Sequence, residues 1–506
     1  MKGIYRIIIS VWVAMLLNSC FSLDQEPYKE PIHKNTFASP RDAQYWVNGM
    51  YSLLRSNIYG KPMYASDFQA DFLNATRHSV GSDAVLNLHN WNLLTSSNET
   101  LASIWIHYFA AIRNINIGID GIPNITIASG NVTATTEVKH NLGELYLARA
   151  YYYTYLVTHF CPAYSETSPY GLPILDHFIE ADFPPRSSVK QTYDFILSDI
   201  AKAEHRLNDV TGRAGKTTFS KDAVAALKAR VLLYKGDWQG AYTAALSVIN
   251  NNNAYSLVSQ KADLQKMWNE DSNNESITML FASFDDSERE MPKEANSEYL
   301  GEDSWMQEYN ASVVPTQAFV DLFDSSDWRK ETYIKQLYFT YSGTRYNNIY
   351  LVTKYPDNNQ LKYSPGSDAT YMHKPKVFRI AEQYLIAAEA AYQLGQTANA
   401  QTYLNRLRRS RGLTTDVTAT GSALFTEIQN ERNRELAFEG FRLADIKRWN
   451  LGVVRGTPQN MDIIITTPAA DYYQLNIAPG NNKLTWAIPE VNINYENGKW
   501  TQNPGW

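Results

Sequence analysis

Glu431-Arg432-Asn433-Arg434-Glu435-Leu436-Ala437-Phe438-Glu439-Gly440-Phe441-Arg442-Leu443-Ala444-Asp445-Ile446-Lys447-Arg448-Trp449 sets three glutamates at a spacing of four, with arginines and aromatics between them. Residues four apart share a helix face, so Glu431, Glu435 and Glu439 would stack on one side with arginines at neighbouring turns. Two readings compete. Clustered carboxylates can serve as general acids and bases, whereas opposite charges at this density more often tie helices together. The interleaved Phe438, Phe441 and Trp449 favour a half-buried charge lattice that positions rings in a helical scaffold and touches no ligand.

Helical periodicity recurs outward from this stretch in pairs. Val224, Leu227, Val231 and Tyr234 step by three and four, Gly236-Asp237 makes a turn, and Trp238, Ala241, Ala245 and Val248 resume the stepping. Tyr384, Leu385, Ala388, Ala391 and Tyr392, then Gly395, then Tyr403, Leu404 and Leu407 form a second pair. Short turns force antiparallel neighbours, and alanines let them approach closely. The stretches Glu137 to Phe160 and Ser188 to Leu207 add helices, and the pairing resembles tetratricopeptide repeats without meeting their full consensus. The expected fold is mainly α, a tetratricopeptide-like scaffold of helix pairs wrapped by long loop-rich segments. Those segments are residues 60–104 and 255–374, where helical patterning fades.

The pattern Glu-Arg-x-x-Glu-Leu-x-Phe-Glu-Gly-x-Arg-x-x-Asp-Ile-x-Arg-Trp resembles the C-terminal signature of the SusD/RagB family. Asn48-Gly49-Met50-Tyr51, Leu147-Ala148-Arg149-Ala150-Tyr151-Tyr152, Pro185-Arg186-Ser187-Ser188-Val189, Arg379-Ile380-Ala381-Glu382-Gln383-Tyr384-Leu385 and Gln502-Asn503-Pro504-Gly505-Trp506 resemble that family's landmarks in order. The resemblance implies a SusD-like domain over 41–506 that is a binding lipoprotein, not an enzyme. It further implies capture of glycan at the cell surface and delivery to a TonB-dependent, SusC-like outer-membrane transporter. Oligopeptide is the alternative ligand, and a lipid-anchored glycosidase a more distant reading. The family transfers no ligand residue to these positions.

The start of the chain suits that implication. Lys2 and Arg6 precede an apolar run from Ile7 to Leu17, too short for a bilayer core that needs about 20 helical residues, so residues 1–19 read as a lipoprotein signal peptide. Leu17-Asn18-Ser19-Cys20 resembles a lipobox, which would make Cys20 the lipidated residue and hold the protein at the outer membrane. Residues 20–40, polar and bearing Pro27 and Pro31, read as a tether. Lipidation of Cys20 would leave Cys161 without a disulfide partner. A net charge of −6 supplies no basic footprint for nucleic acid.

Sugar rings bind to aromatic faces flanked by amides and carboxylates. With 34 tyrosines and 12 tryptophans most rings must be core, so the candidates are those with polar neighbours in loop-like segments. His89-Asn90-Trp91-Asn92 offers Trp91 and Asn92, with Tyr64, Asp67 and Asp71 on the same expected rim. The run from Glu302 to Asn310 offers Trp305 and Tyr309. Trp105 shares helical spacing with Tyr108 and Ile112 and is expected in the core. No phosphate-binding loop, nucleophile elbow or zinc-protease motif occurs, and no catalytic residue, metal site or cofactor is expected. Asp285-Asp286 with Glu288 and Glu290 is the one Ca²⁺ candidate, and it lacks a spaced ligand loop.

Overall fold

Gly236 and Asp237 make the turn that the periodicity predicts: Gly236 takes a left-handed conformation, and the Asp237 side chain accepts the Gly240 amide at 2.9 Å. The computed structural model describes residues 36–506 except 81–82, 182, 252, 284–292, 295–296, 304–305, 307, 362–370, 467–474 and 497. Its helices include α1 (Pro40–Ile58), α2 (Lys61–Gln69), α3 (Asp83–His89), α4 (Glu99–Gly121), α5 (Val132–Phe160), α6 (Val189–Leu207), α7 (Lys221–Lys235) and α8 (Trp238–Ile249). Further on come α9 (Lys261–Asn269), α10 (Ile380–Gln393), α11 (Thr397–Arg409), α12 (Gly421–Leu436) and α13 (Arg442–Arg448). Strands are short: β1 (Leu73–Ala75), β2 (Ser276–Met279), β3 (Val313–Pro315), β4 (Ile334–Tyr341), β5 (Thr344–Val352) and β6 (Lys376–Arg379). The fold is mainly α, as expected.

Successive helices pack on one another in chain order, α5 on α6, α6 on α7, α7 on α8, then α8 on α10 and α10 on α11. This is the arrangement by which helix pairs bury faces that none could bury alone. Ser188 opens α6 through a capping box with Gln191, which accounts for that helix starting at Val189, a few residues after the Pro184-Pro185 stop. Bidentate ion pairs bolt the stack together. Arg149 of α5 grips Asp199 of α6 at 2.6 and 2.9 Å, Arg230 of α7 grips Glu382 of α10, and Arg448 of α13 grips Glu389 of α10. Each pair draws on a landmark quoted from the sequence, so those landmarks are interhelical clamps.

The opening stretch is not one helix. α12 stops at Leu436, Phe438 adopts φ +63°, and Gly440 follows at φ +79° with Met63 backbone 3.1 Å from where a Cβ would stand. Glu439 therefore leaves the helical face on which it was expected, yet the turn returns it to the same charge cluster. Glu435, fully buried, accepts from Arg411 and Arg379 at 2.9 Å and from Arg329 at 3.1 Å. Arg329 also reaches Glu431, while Lys354 and Arg379 hold Glu439. Burial alone would raise these carboxyls, but the guanidinium charges outweigh it: Glu431 is held at about 2 and Glu435 well below the usual range. Carboxylates so saturated with cations are structural.

The two segments expected to be loop-rich contain more regular structure than that. Residues 60–104 carry α2, α3 and the first turn of α4, because Pro62 sits at the start of α2 and Asn98 caps α4. Residues 255–374 carry α9 and the β4–β5 hairpin. Among the described residues, no helix is long and apolar enough to cross a membrane.

Candidate functional site

A second, smaller core lies beside the helical stack and sets the site. Leu300, Val314, Phe339, Ile349, Leu351, Ile463 and Ile464 form it, with Tyr309, Leu337, Tyr341 and Tyr346 packed half-buried against it. β4 and β5 close through Ser342-Gly343, both at positive φ, the two-residue turn whose twist suits a hairpin. The register shifts between Leu337 and Tyr338, where Asn348 at φ +62° is the extra residue. This bulge lets Tyr346 and Ile349, three apart, face the small core together with Leu337 and Phe339. The opposite face then carries Tyr338 paired with Asn347, and Thr340 paired with Arg345.

On that outer face Arg345 lies over Tyr338, its Cζ 3.5 Å from the ring centroid, and its Nε donates to Asn347 Oδ1 at 3.2 Å. Tyr309 meets Tyr338 edge to face, with centroids 5.1 Å apart. Tyr309 stands on a two-residue antiparallel pair opposite Glu302, and Tyr371 Oη accepts the Glu302 amide at 2.5 Å to pin it. Burial and then the nearby Glu302 carboxylate raise the Tyr309 phenol. Arg345 and Asn347 are exposed and both tyrosines half-buried, so apolar ring area, an amide, a guanidinium and a carboxylate meet at one surface. Such a set can cover the C–H face of a rigid polyhydroxylated ring and bond its hydroxyls.

The residues singled out from sequence land unevenly. Tyr309 is on this face. Trp305 lies outside the described residues, as do Cys20 and the acidic Asp285, Asp286, Glu288 and Glu290. Trp91 is a correction: it is 2% exposed, and its Nε1 donates to Gln69 O at 3.1 Å. The cause is Arg455, which donates to the carbonyls of Phe68, Ala70 and His89 and folds that segment inward. Asn92 is exposed beside it, its backbone N–H donating to Asn90 Oδ1. Tyr64 and Asp67 belong to helix α2 and not to a loop. Tyr64 stacks on Phe68, and Asp67, 1% exposed, accepts Tyr299 Oη at 2.8 Å while burial pushes its carboxyl up to about 8. Asp71 pairs with Arg442. Trp105 is in the core as expected. Tyr338, Arg345 and Asn347 were missed, although Tyr338-Phe339-Thr340-Tyr341-Ser342-Gly343-Thr344-Arg345-Tyr346-Asn347 has the alternation and turn of a hairpin.

Among the described residues, cavities also lie elsewhere. One of about 170 Å³ is walled by Trp105, Phe109, Phe183 and Trp500. Another, about 70 Å³ among Tyr59, Tyr155, His159 and Arg230, has room for about two waters. Both fall below the roughly 300–1,000 Å³ of drug-sized sites, so neither rivals the open face for an extended ligand. Among the described residues, no three His, Cys, Asp or Glu side chains are grouped to hold a metal ion.

Residues 234–506 match the model described as SusD family, and residues 22–233 match one described as starch-binding associating with outer membrane. SusD-like protein P38 of Formosa agariphila is 26% identical, with 90% of this chain and 93% of that protein aligned. SusD-like protein P25 of the same organism is 24% identical over 97% of each. Among solved structures, a SusD superfamily protein from Bacteroides thetaiotaomicron superposes with a TM-score of 0.76 at 23% identity, covering 92% of this chain and all of that one. A putative sugar binding protein from Bacteroides vulgatus superposes at 0.75, also at 23% identity, covering 93% and 99%.

Proposed function

The chain belongs to the SusD family, and on that premise we propose that it is a glycan-binding protein of the outer-membrane surface, not an enzyme. The single observation that carries the reading is the exposed face of Tyr309, Tyr338, Arg345 and Asn347, in a chain whose first half matches a model described as starch-binding associating with outer membrane. Ring area at low rotamer entropy, with fixed polar groups around it, is what an open glycan site needs. The carboxylates that most resemble a catalytic cluster, Glu431, Glu435 and Glu439, are engaged by arginines and Lys354.

In this reading the captured glycan passes to a TonB-dependent, SusC-like transporter. A binding protein tethered over its pore works at high effective concentration and needs no tight affinity. Cys20 is the proposed lipid anchor. Cys20→Ala is expected to release a folded protein from the membrane fraction into the soluble one. Continued membrane partition in cells lacking the transporter would remove the lipid-anchor reading.

Calorimetry against glycan and oligopeptide panels tests the ligand class. Tyr338→Ala is expected to weaken glycan affinity about tenfold, the scale of one lost ring contact, with little change in melting temperature. Binding of oligopeptides alone would replace glycan with peptide as the cargo.

A further inference from the structure

We propose that this face selects glycans carrying an acidic group, a uronic carboxylate or a sulfate ester, and that Arg345 is the residue that receives it. The inference rests on the glycan reading above and deepens it. Arg345 sits closer to its aromatic partner than any other cation described over a ring in this chain, at 3.5 Å against 4.1 Å for Lys354 over Tyr333. Its Nε is committed to Asn347 Oδ1 two residues along the same strand. A guanidinium anchored at Nε and seated on a ring keeps its two Nη groups as a fork, and that edge matches two oxygens of a carboxylate or sulfate.

Two contrasts give the placement meaning. Four arginines that tie the scaffold together, Arg149, Arg230, Arg379 and Arg411, are each answered by a carboxylate, and the buried Arg455 by three backbone carbonyls. Arg345 makes no ion pair among the described residues, so its charge is held in position by the Tyr338 ring and Asn347 Oδ1 and not by a carboxylate. A neutral sugar that needed this face of Tyr338 would first have to displace the guanidinium, whereas an acidic one uses it where it stands. Holding the side chain in advance reduces the ordering cost of the bond.

A carboxylate limits where the acid can lie. Glu302 stands opposite Tyr309 on the neighbouring antiparallel pair, on the same face as that ring. A second anionic group there would be repelled, while hydroxyls would be accepted. The favoured ligand thus alternates acidic and neutral units, with the acid at Arg345 and the neutral ring toward Tyr309.

Calorimetry on the full mature protein tests this with four probes. Hyaluronan oligosaccharides alternate uronate with neutral sugar, and carrageenan oligosaccharides with one sulfate per repeat carry the ester. Oligogalacturonate is acid at every unit, and malto-oligosaccharides are neutral. The expected result is binding of one or both alternating acidic probes at least about tenfold tighter than the other two, weakening with salt. Which of the two leads distinguishes carboxylate from sulfate. Arg345→Gln is expected to abolish the preference without changing the melting temperature, and Arg345→Lys to restore it only in part because a point charge lacks the fork. Equal or tighter binding of the neutral probe, or an unchanged preference in Arg345→Gln, overturns the inference and leaves the glycan reading standing. Binding of no saccharide on this and a wider glycan panel removes both.

Discussion

Glu435→Gln is expected to lower the stability of the fold by about 3–5 kcal/mol, the scale of breaking a buried ion network from one side. The amide keeps the volume of the carboxylate, so the loss is electrostatic and no cavity contributes. The amide keeps one oxygen and turns the other into an NH2 donor facing guanidiniums: at Oε1 it takes an acceptor from Arg379 and Arg411, at Oε2 from Arg329 and Arg411, in a site that water cannot reach. The midpoint of urea unfolding checks it, and a shift below about 1 kcal/mol would mean that the remaining acids, Glu275 on Arg411, Asp327 and Glu431 on Arg329 and Glu439 on Arg379, suffice to satisfy the three guanidiniums. Added salt should rescue little, since screening acts weakly on buried charges.

The same network sets a pH dependence. Glu431 is held at about 2 in the folded protein against 4.5 for the free side chain, so the unfolded chain binds its proton first as pH falls. Its contribution is complete above about pH 4.5 and is lost progressively as the pH drops toward 2. Glu435, depressed further, acts in the same direction. The stability of the wild type should therefore decline steeply across that window, and Glu435→Gln should flatten the decline.

Trp91→Ala should be destabilising by about 3–5 kcal/mol, as for other buried large rings truncated to alanine. The indole is buried, its N–H is spent on Gln69 O, and its own carbonyl accepts Lys483 Nζ at 2.9 Å. The substitution removes the packing of the ring and its hydrogen bond to Gln69 O, while the Lys483 bond to the residue 91 carbonyl, a backbone contact, stays. Parallel melting and binding measurements distinguish this role from the one expected from sequence. A variant that melts like the wild type yet loses ligand would return Trp91 to the binding surface.

Trp91 and Tyr309 show why the site was half legible. Both sat between polar residues in stretches without helical period, and composition alone could not separate them. Arg455, more than three hundred residues from Trp91 in sequence, pulls the first inward, while a short strand pair leaves the second at the surface. Tyr338 and Arg345 carried a local hairpin signal in Ser342-Gly343 and its flanking alternation. The Asn348 bulge that decides which of their neighbours face outward had no comparable signature, since asparagine is common in loops of every kind.

By itself the sequence determined the helices, the turns between pairs, the family and the structural character of Glu431 and Glu435, because each depends on neighbours three or four residues away or on a motif read in order. Only the tertiary structure decided that Phe438 and Gly440 break the expected helix and return Glu439 to the charge cluster, that Trp91 and Asp67 are core, and that Tyr309, Tyr338 and Arg345 share one surface. Those outcomes depend on contacts between segments distant in the chain, whose energies no local pattern encodes.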